Sequence, residues 1–446
     1  MRGMARPWLR SACWIALLTG PLVAQAPLDD VRKKKLADLA TRFWKARPKT
    51  AFEAWDPTAR EALMAEASAM GPIPEGSWRA VADLLWKPAE KLGPRAGDDG
   101  KSLATPYGPA RFLMKSASGK GKPVLVGLHG GGEGAGDASE AAGTWTLPQS
   151  WGFYPHGIRL VHDTWNTVHG ERFILTLLEI AKARHQADPD RVYVAGFSMG
   201  GTGSWFMAGR HPDLFAAAAP CAGVLMAKPK SQVLRKEDVE DLQHGLLPNV
   251  RNLAMWSFIG LEDRNCYPGT FLYVADRMEE LKRQDPDGYA GWNFKTIPGL
   301  AHKYPPGEPG QCFKFLEKQR RDTFPKRLTW EVATDPYPLP DPDEPTPRIA
   351  KRRFYWLGCD RPIDRQVVRA AREDNVVTLE TVGRDGVKGL TVFLNPQMID
   401  PAREVVVRHG AKEVYRGRPA PDAAVVLDAI DARCEASMIF DRRIDL

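Results

Sequence analysis

Between residues 104 and 325, short apolar runs alternate with amphipathic helical stretches, and no other feature narrows the possible folds as far. Residues 123–128 (PVLVGL) form a continuous apolar run ending in glycines, and residues 191–195 (RVYVA) form a second. Residues 110–115, 157–161, 214–220, 253–259 and 292–297 read as further strands, and residues 172–183, 201–210 and 271–283 as helices. Strands joined through helices run parallel, and burial on both faces explains why the runs carry so few polar residues. The expected class is therefore α/β, a doubly wound, mostly parallel sheet.

The flanking segments obey other periods. In residues 27–103, Val31, Leu36, Leu39, Ala40 and Phe43 recur at helical spacing. So do Leu63, Ala67 and Met70, and then Trp78, Val81, Leu84 and Leu85, which makes this an N-terminal helical segment. Residues 335–347 hold six prolines and exclude both helix and central strand. After them, residues 353–357, 376–382, 390–394, 404–408, 424–427 and 437–444 read as short strands between turns. Residues 326–446 are thus expected to form a β-sandwich-like accessory domain beside a catalytic domain at 104–325.

Residues 1–26 read as an export signal. Arg2, Arg6 and Arg10 precede the uncharged run 11–23, and Ala24-Gln25-Ala26 offers a small-x-small cut. Pro27 just after it disfavours that cut, so either processing shifts by a residue or two, or it fails and leaves an anchor. The run is too short and too broken to span a bilayer, so the expected product has no membrane span and is secreted or periplasmic. A net charge of +7 over 446 residues, with no long basic run, gives no footprint for nucleic acid.

The chemistry centres on Gly196-Phe197-Ser198-Met199-Gly200, set between the strand RVYVA and a helix. At such a turn a serine is held exposed at the carboxyl edge of the sheet, and the Met199 N–H at the helix start faces the attacked carbonyl. His129-Gly130-Gly131-Gly132 directly follows the strand 123–128, so N–H groups of Gly130 and Gly131 are the expected second oxyanion donors, with His129 orienting the loop. A hydroxyl needs a base. His302 follows the last α/β strand on a loop; His211, His244 and His409 are placed less well. Asp263 follows the strand 253–259 as the expected acid, with Glu262 in reserve. No metal spacing occurs, and this chemistry requires no cofactor.

With residues 188–201 (DPDRVYVAGFSMGG) and 211–217 (HPDLFAA), the sequence resembles the secreted polyhydroxybutyrate depolymerase and feruloyl esterase branch of the α/β-hydrolase superfamily. LHGGG at 128–132, GLEDRNCYP at 260–268 and GLAHKYP at 299–305 are similar to that group's oxyanion, acid and histidine segments. The resemblance covers about residues 104–325. It implies an α/β-hydrolase fold, a serine carboxylic-ester hydrolase, and a triad on Ser198, Asp263 and His302. Tyr267 departs from the group's small aliphatic residue before proline.

Trp145, Trp151, Trp165, Tyr267 and Tyr304 fall in segments expected at the same sheet edge, which points to a bulky, aromatic or polymeric ester, including a carbohydrate-linked one. A serine peptidase of prolyl-oligopeptidase-like type or an acyltransferase would share the triad, and a carbohydrate- or surface-binding protein would share the fold. A Cys266–Cys312 bridge would clamp the acid and histidine loops. A Cys359–Cys434 bridge would staple the β-domain and leave Cys221 as a buried thiol.

Overall fold

The computed structural model describes residues 28–106, 108–131, 136–157, 164–223, 225, 246–332 and 350–446. The expected export signal and the proline-rich stretch lie outside them.

Eight strands make the larger sheet: β1 (Ser102–Thr105), β2 (Gly108–Lys115), β3 (Val124–Leu128), β4 (Trp151–Pro155), β5 (Val192–Phe197), β6 (Ala217–Cys221), β7 (Ala254–Gly260) and β8 (Trp292–Ile297). Their order is β1-β2-β4-β3-β5-β6-β7-β8, and every pair from β4 to β8 is parallel while β2 runs against its neighbours. The fold is the doubly wound α/β-hydrolase type. Two strands differ from expectation: β1 begins at the end of the segment expected to be helical, and a second lies elsewhere. The run anticipated at 157–161 is replaced by β4 at Trp151–Pro155, whose buried Phe153 and Tyr154 fit a two-sided sheet; residues 158–161 lie outside the described residues.

The topology places the site. β3 and β5 are adjacent, with Leu128 opposite Gly196, yet the chain leaves β3 toward β4 and leaves β5 toward β6. A crevice opens beyond the carboxyl ends where connections diverge in this way. The loop after β3 and the turn after β5 both end there.

At the N-terminus, α1 (Asp30–Ala46) is capped by Asp29, whose carboxylate accepts the Arg32 N–H at 2.7 Å. It buries Leu36, Leu39, Ala40, Phe43 and Trp44, whereas Val31, expected on the same stripe, is exposed. α2 (Pro57–Ala69) and α3 (Trp78–Trp86) follow. The C-terminal region has a four-stranded antiparallel sheet and a five-stranded sheet in which Val376–Val382 pairs parallel with Val405–His409. The strand expected at 424–427 is instead part of the helix Ala423–Arg433, started by Asp422 accepting the Ala424 N–H. That helix, α1 to α3 and both sheets bury their apolar side chains in one continuous core.

Candidate active site

The turn after β5 is strained where the chemistry requires it. Ser198 has φ 60° and ψ −123°, a conformation L-residues rarely adopt, and its N–H donates to the Cys221 carbonyl at 3.1 Å. The surrounding residues leave no room for side chains. A Cβ on Gly200 would overlap the Leu128 carbonyl oxygen, and one on Gly196 would overlap the Gly200 backbone. Close approach of β3, β5 and α7 (Met199–Arg210) therefore selects the glycines of the motif. Ser198 itself is half-buried and reachable from solvent.

The β3 loop lies against this turn. A Cβ on Gly130 would stand 3.4 Å from Ser198 Cβ. The His129 carbonyl accepts the Trp165 Nε1–H at 3.0 Å. The His129 ring turns back, its Nδ1–H donating to the Gly130 carbonyl at 2.8 Å while Nε2 accepts the Gly157 N–H at 3.2 Å. With one nitrogen donating and the other accepting, the imidazole is neutral, and burial lowers its pKa. Each peptide is planar and trans, so the N–H of Gly130 points away from the His129 carbonyl and that of Gly131 away from the Gly130 carbonyl. The Met199 N–H, first in α7, has no partner within the helix.

The remaining two groups arrive on a pair of loops fastened together. β7 and β8 pair up to Gly260 and Ile297. Beyond that point the Leu261 N–H donates to the Ile297 carbonyl and the Glu262 N–H to the Leu300 carbonyl, each at 3.0 Å. Asp263 Oδ1 accepts the N–H groups of Asn265 and Cys266 at 2.8 Å each, which orients Oδ2 onto His302 Nδ1 at 2.7 Å. The Asp263 side chain is fully buried. The His302 ring packs at a tilt against Phe197, with centroids 4.8 Å apart, beside the serine turn. Glu262 is exposed and has no side-chain partner among the described residues.

The aromatic residues divide. Tyr267 is exposed at the head of the helix Pro268–Gln284, and Tyr304 is half-buried against Phe197 at 4.4 Å. Three expected lining residues do not reach the opening. Trp145 and Trp165 are each 1% exposed, the first packed on Tyr304 and Phe313 and the second anchoring the β3 loop. Trp151 stands opposite Val124, at the start of β3, and packs on His185 at the far edge of the sheet.

The cysteines also depart from expectation. Cys221, Cys266, Cys312, Cys359 and Cys434 are all free and buried. Cys312 packs in the cluster that holds Cys221, while Cys266 lies in a different cluster with Ile259 and Phe271, so the 266–312 clamp is not formed. Cys359 and Cys434 likewise remain unbridged. Burial pushes the Cys266 thiol up to about 12, Asp263 adds to the rise, and a hydrogen bond with Ser198 opposes it. That thiol in contact with the serine was not singled out from sequence, where only its spacing from Cys312 was visible.

Residues 99–305 match the family model described as putative esterase. Poly(3-hydroxyalkanoate) depolymerase C of Paucimonas lemoignei is 48% identical over 50 residues, 11% of this chain and 12% of the relative. Putative esterase NocK of Nocardia uniformis subsp. tsuyamanensis is 32% identical over 124 residues, 25% of this chain and 35% of the relative. The chain thus spans a minor part of either relative's length. Among solved structures, a thermostable esterase superposes with TM-score 0.37 at 18% identity, covering 49% of this chain and 62% of that one. An acetyl xylan esterase from Aspergillus awamori gives TM-score 0.35 at 15% identity, covering 47% and 94%. Residues 99–305 have the α/β-hydrolase fold and are similar in sequence to esterases and a depolymerase.

Proposed function

We propose that this α/β-hydrolase domain is a serine carboxylic-ester hydrolase, with Ser198 as nucleophile, His302 as general base and acid, and Asp263 as the group that orients it. One observation carries the reading. Two loops fastened by strand pairing deliver a buried carboxylate, hydrogen-bonded to an imidazole, beside a strained serine turn that packs on a glycine loop.

In the reaction, His302 Nε2 takes the Ser198 proton as the oxygen adds to the ester carbonyl. Asp263 keeps the other proton on Nδ1 and stabilises the imidazolium. The oxyanion is held by N–H groups of Met199, Gly130 and Gly131; loss of one such donor costs about 3 kcal/mol. The imidazolium then protonates the departing alcohol, and a water activated by His302 releases the acid.

The relatives named for a polyhydroxyalkanoate depolymerase and an esterase support ester hydrolysis. Tyr267, exposed next to the acid loop, and Tyr304, packed on Phe197, support a bulky, aromatic or polymeric ester. We take the enzyme to be exported, on the strength of residues 1–26; among the described residues no helix is long and apolar enough to cross a membrane. A panel of short-chain, feruloyl and polyester substrates, run beside Ser198→Ala, tests the reading. Turnover by the wild type that is lost in the variant supports it, and equal turnover by both overturns it.

A further inference from the structure

Beside the Asp263–His302 pair lies a cavity of about 320 Å3, lined by Glu262, Arg264, Asn265, Ala301 and His302. Its walls are the two fastened loops. The backbone is committed, since the N–H groups of Glu262 and Asn265 are bound within the loop pair. The side chains are not. Glu262, Arg264 and Asn265 are exposed, and among the described residues none of the three forms a side-chain hydrogen bond or ion pair. Glu262 and Arg264 are two residues apart and oppositely charged, yet they do not pair with each other. The loop pair therefore brings residues with a carboxylate, a guanidinium and an amide to one space, and Ala301 and His302 make the remaining wall.

The proposed reaction decides which half of the ester meets this space. The acyl carbon must sit on Ser198 under the oxyanion donors. The leaving oxygen must sit beside the ring that protonates it, so the alcohol borders His302. We infer that the cavity is the alcohol-side subsite of this site and that Glu262, Arg264 and Asn265 select a polyhydroxylated, sugar-like alcohol. Its hydroxyls donate to Glu262 and accept from Arg264 and Asn265. An apolar alcohol would displace water from the three groups and return no hydrogen bond, which is how a polar site rejects an analogue lacking hydroxyls. The volume suits one group of sugar size. The inference rests on the ester-hydrolase reading, and it places selectivity on the alcohol rather than on the acyl chain.

The test uses the full chain and two esters sharing an acyl group, glycerol monoacetate and propyl acetate, with kcat/KM followed by titration of released acid. The ratio of the two values in each variant, divided by that in wild type, cancels intrinsic differences between the esters. The expected result is a fall in that ratio on the order of tenfold for Arg264→Ala and for Glu262→Ala, mainly through KM for the glycerol ester. Glu262→Gln, which still accepts a hydrogen bond, should fall less than Glu262→Ala. An unchanged ratio in all variants, with both esters turned over, overturns the subsite and leaves the hydrolase reading standing. Turnover by the wild type of neither ester and of no feruloyl or polyester substrate, with no acylation of Ser198, sinks the hydrolase reading and this inference with it.

Discussion

Ser198 is useful because it is awkward: its backbone conformation is held by glycines that let three elements meet. Replacing Gly200 by alanine should lower the melting temperature and the soluble yield, since the new methyl group meets the Leu128 carbonyl; thermal unfolding checks this. Ser198→Ala should lower kcat by roughly 10^4 to 10^6. Asp263→Asn should lower it by roughly 10^3 to 10^4 with the fold intact, because an amide does not fix the Nδ1–H tautomer of His302; kcat measured beside a circular dichroism spectrum checks both halves. At this scale the candidate site is local in sequence, its serine, glycine loop, acid and histidine each lying shortly after a strand. The aromatic residues were not readable, because exposure belongs to the tertiary structure: Trp165 is spent on anchoring a carbonyl and Trp151 faces the wrong end of the sheet.

Among elements, long patterns were read well and short ones poorly. Strands expected at 376–382 and 390–394 stand where the spacing put them. The four residues 424–427 alone read as a strand, and only the helix cap at Asp422 and the continuing run to Arg433 distinguish a buried helix from a buried strand. Cysteine spacing misled for a related reason, since it carries no information on which sheet layer a residue enters. Cys266 and Cys312 lie in different clusters. Denaturing the purified protein without reductant and alkylating it should therefore modify all five cysteines beyond residue 27; a protected pair would contradict the free thiols seen here.

For the molecule as a whole, the N-terminal helices are structural partners of the C-terminal sheets, joined in one core that their separation in sequence concealed. Trp44 is fully buried and donates its indole N–H to the Leu85 carbonyl at 2.8 Å, so Trp44→Ala should cost about 3–5 kcal/mol in denaturant unfolding. The seam with the hydrolase domain is ionic and responds to acid. Burial, with the Lys351 cation beside it, lowers the His211 pKa to about 4. Between its ordinary value near 6.5 and about 4 only the unfolded chain takes up that proton, so stability falls as pH falls. Glu171, paired with Arg210 and His211, is held at about 2, and its contribution is present above about 4.5 and lost toward 2. The melting temperature should decline from about pH 6.5 downward, and His211→Gln should flatten the part between 6.5 and 4.5. The central claim is a single acylable hydroxyl, and it is tested most directly by treating the intact protein with a fluorophosphonate and locating the adduct by mass spectrometry. One equivalent on Ser198, absent in Ser198→Ala and slowed in His302→Ala, is the expected result; labelling elsewhere, or equal labelling of the Ser198→Ala chain, would contradict it.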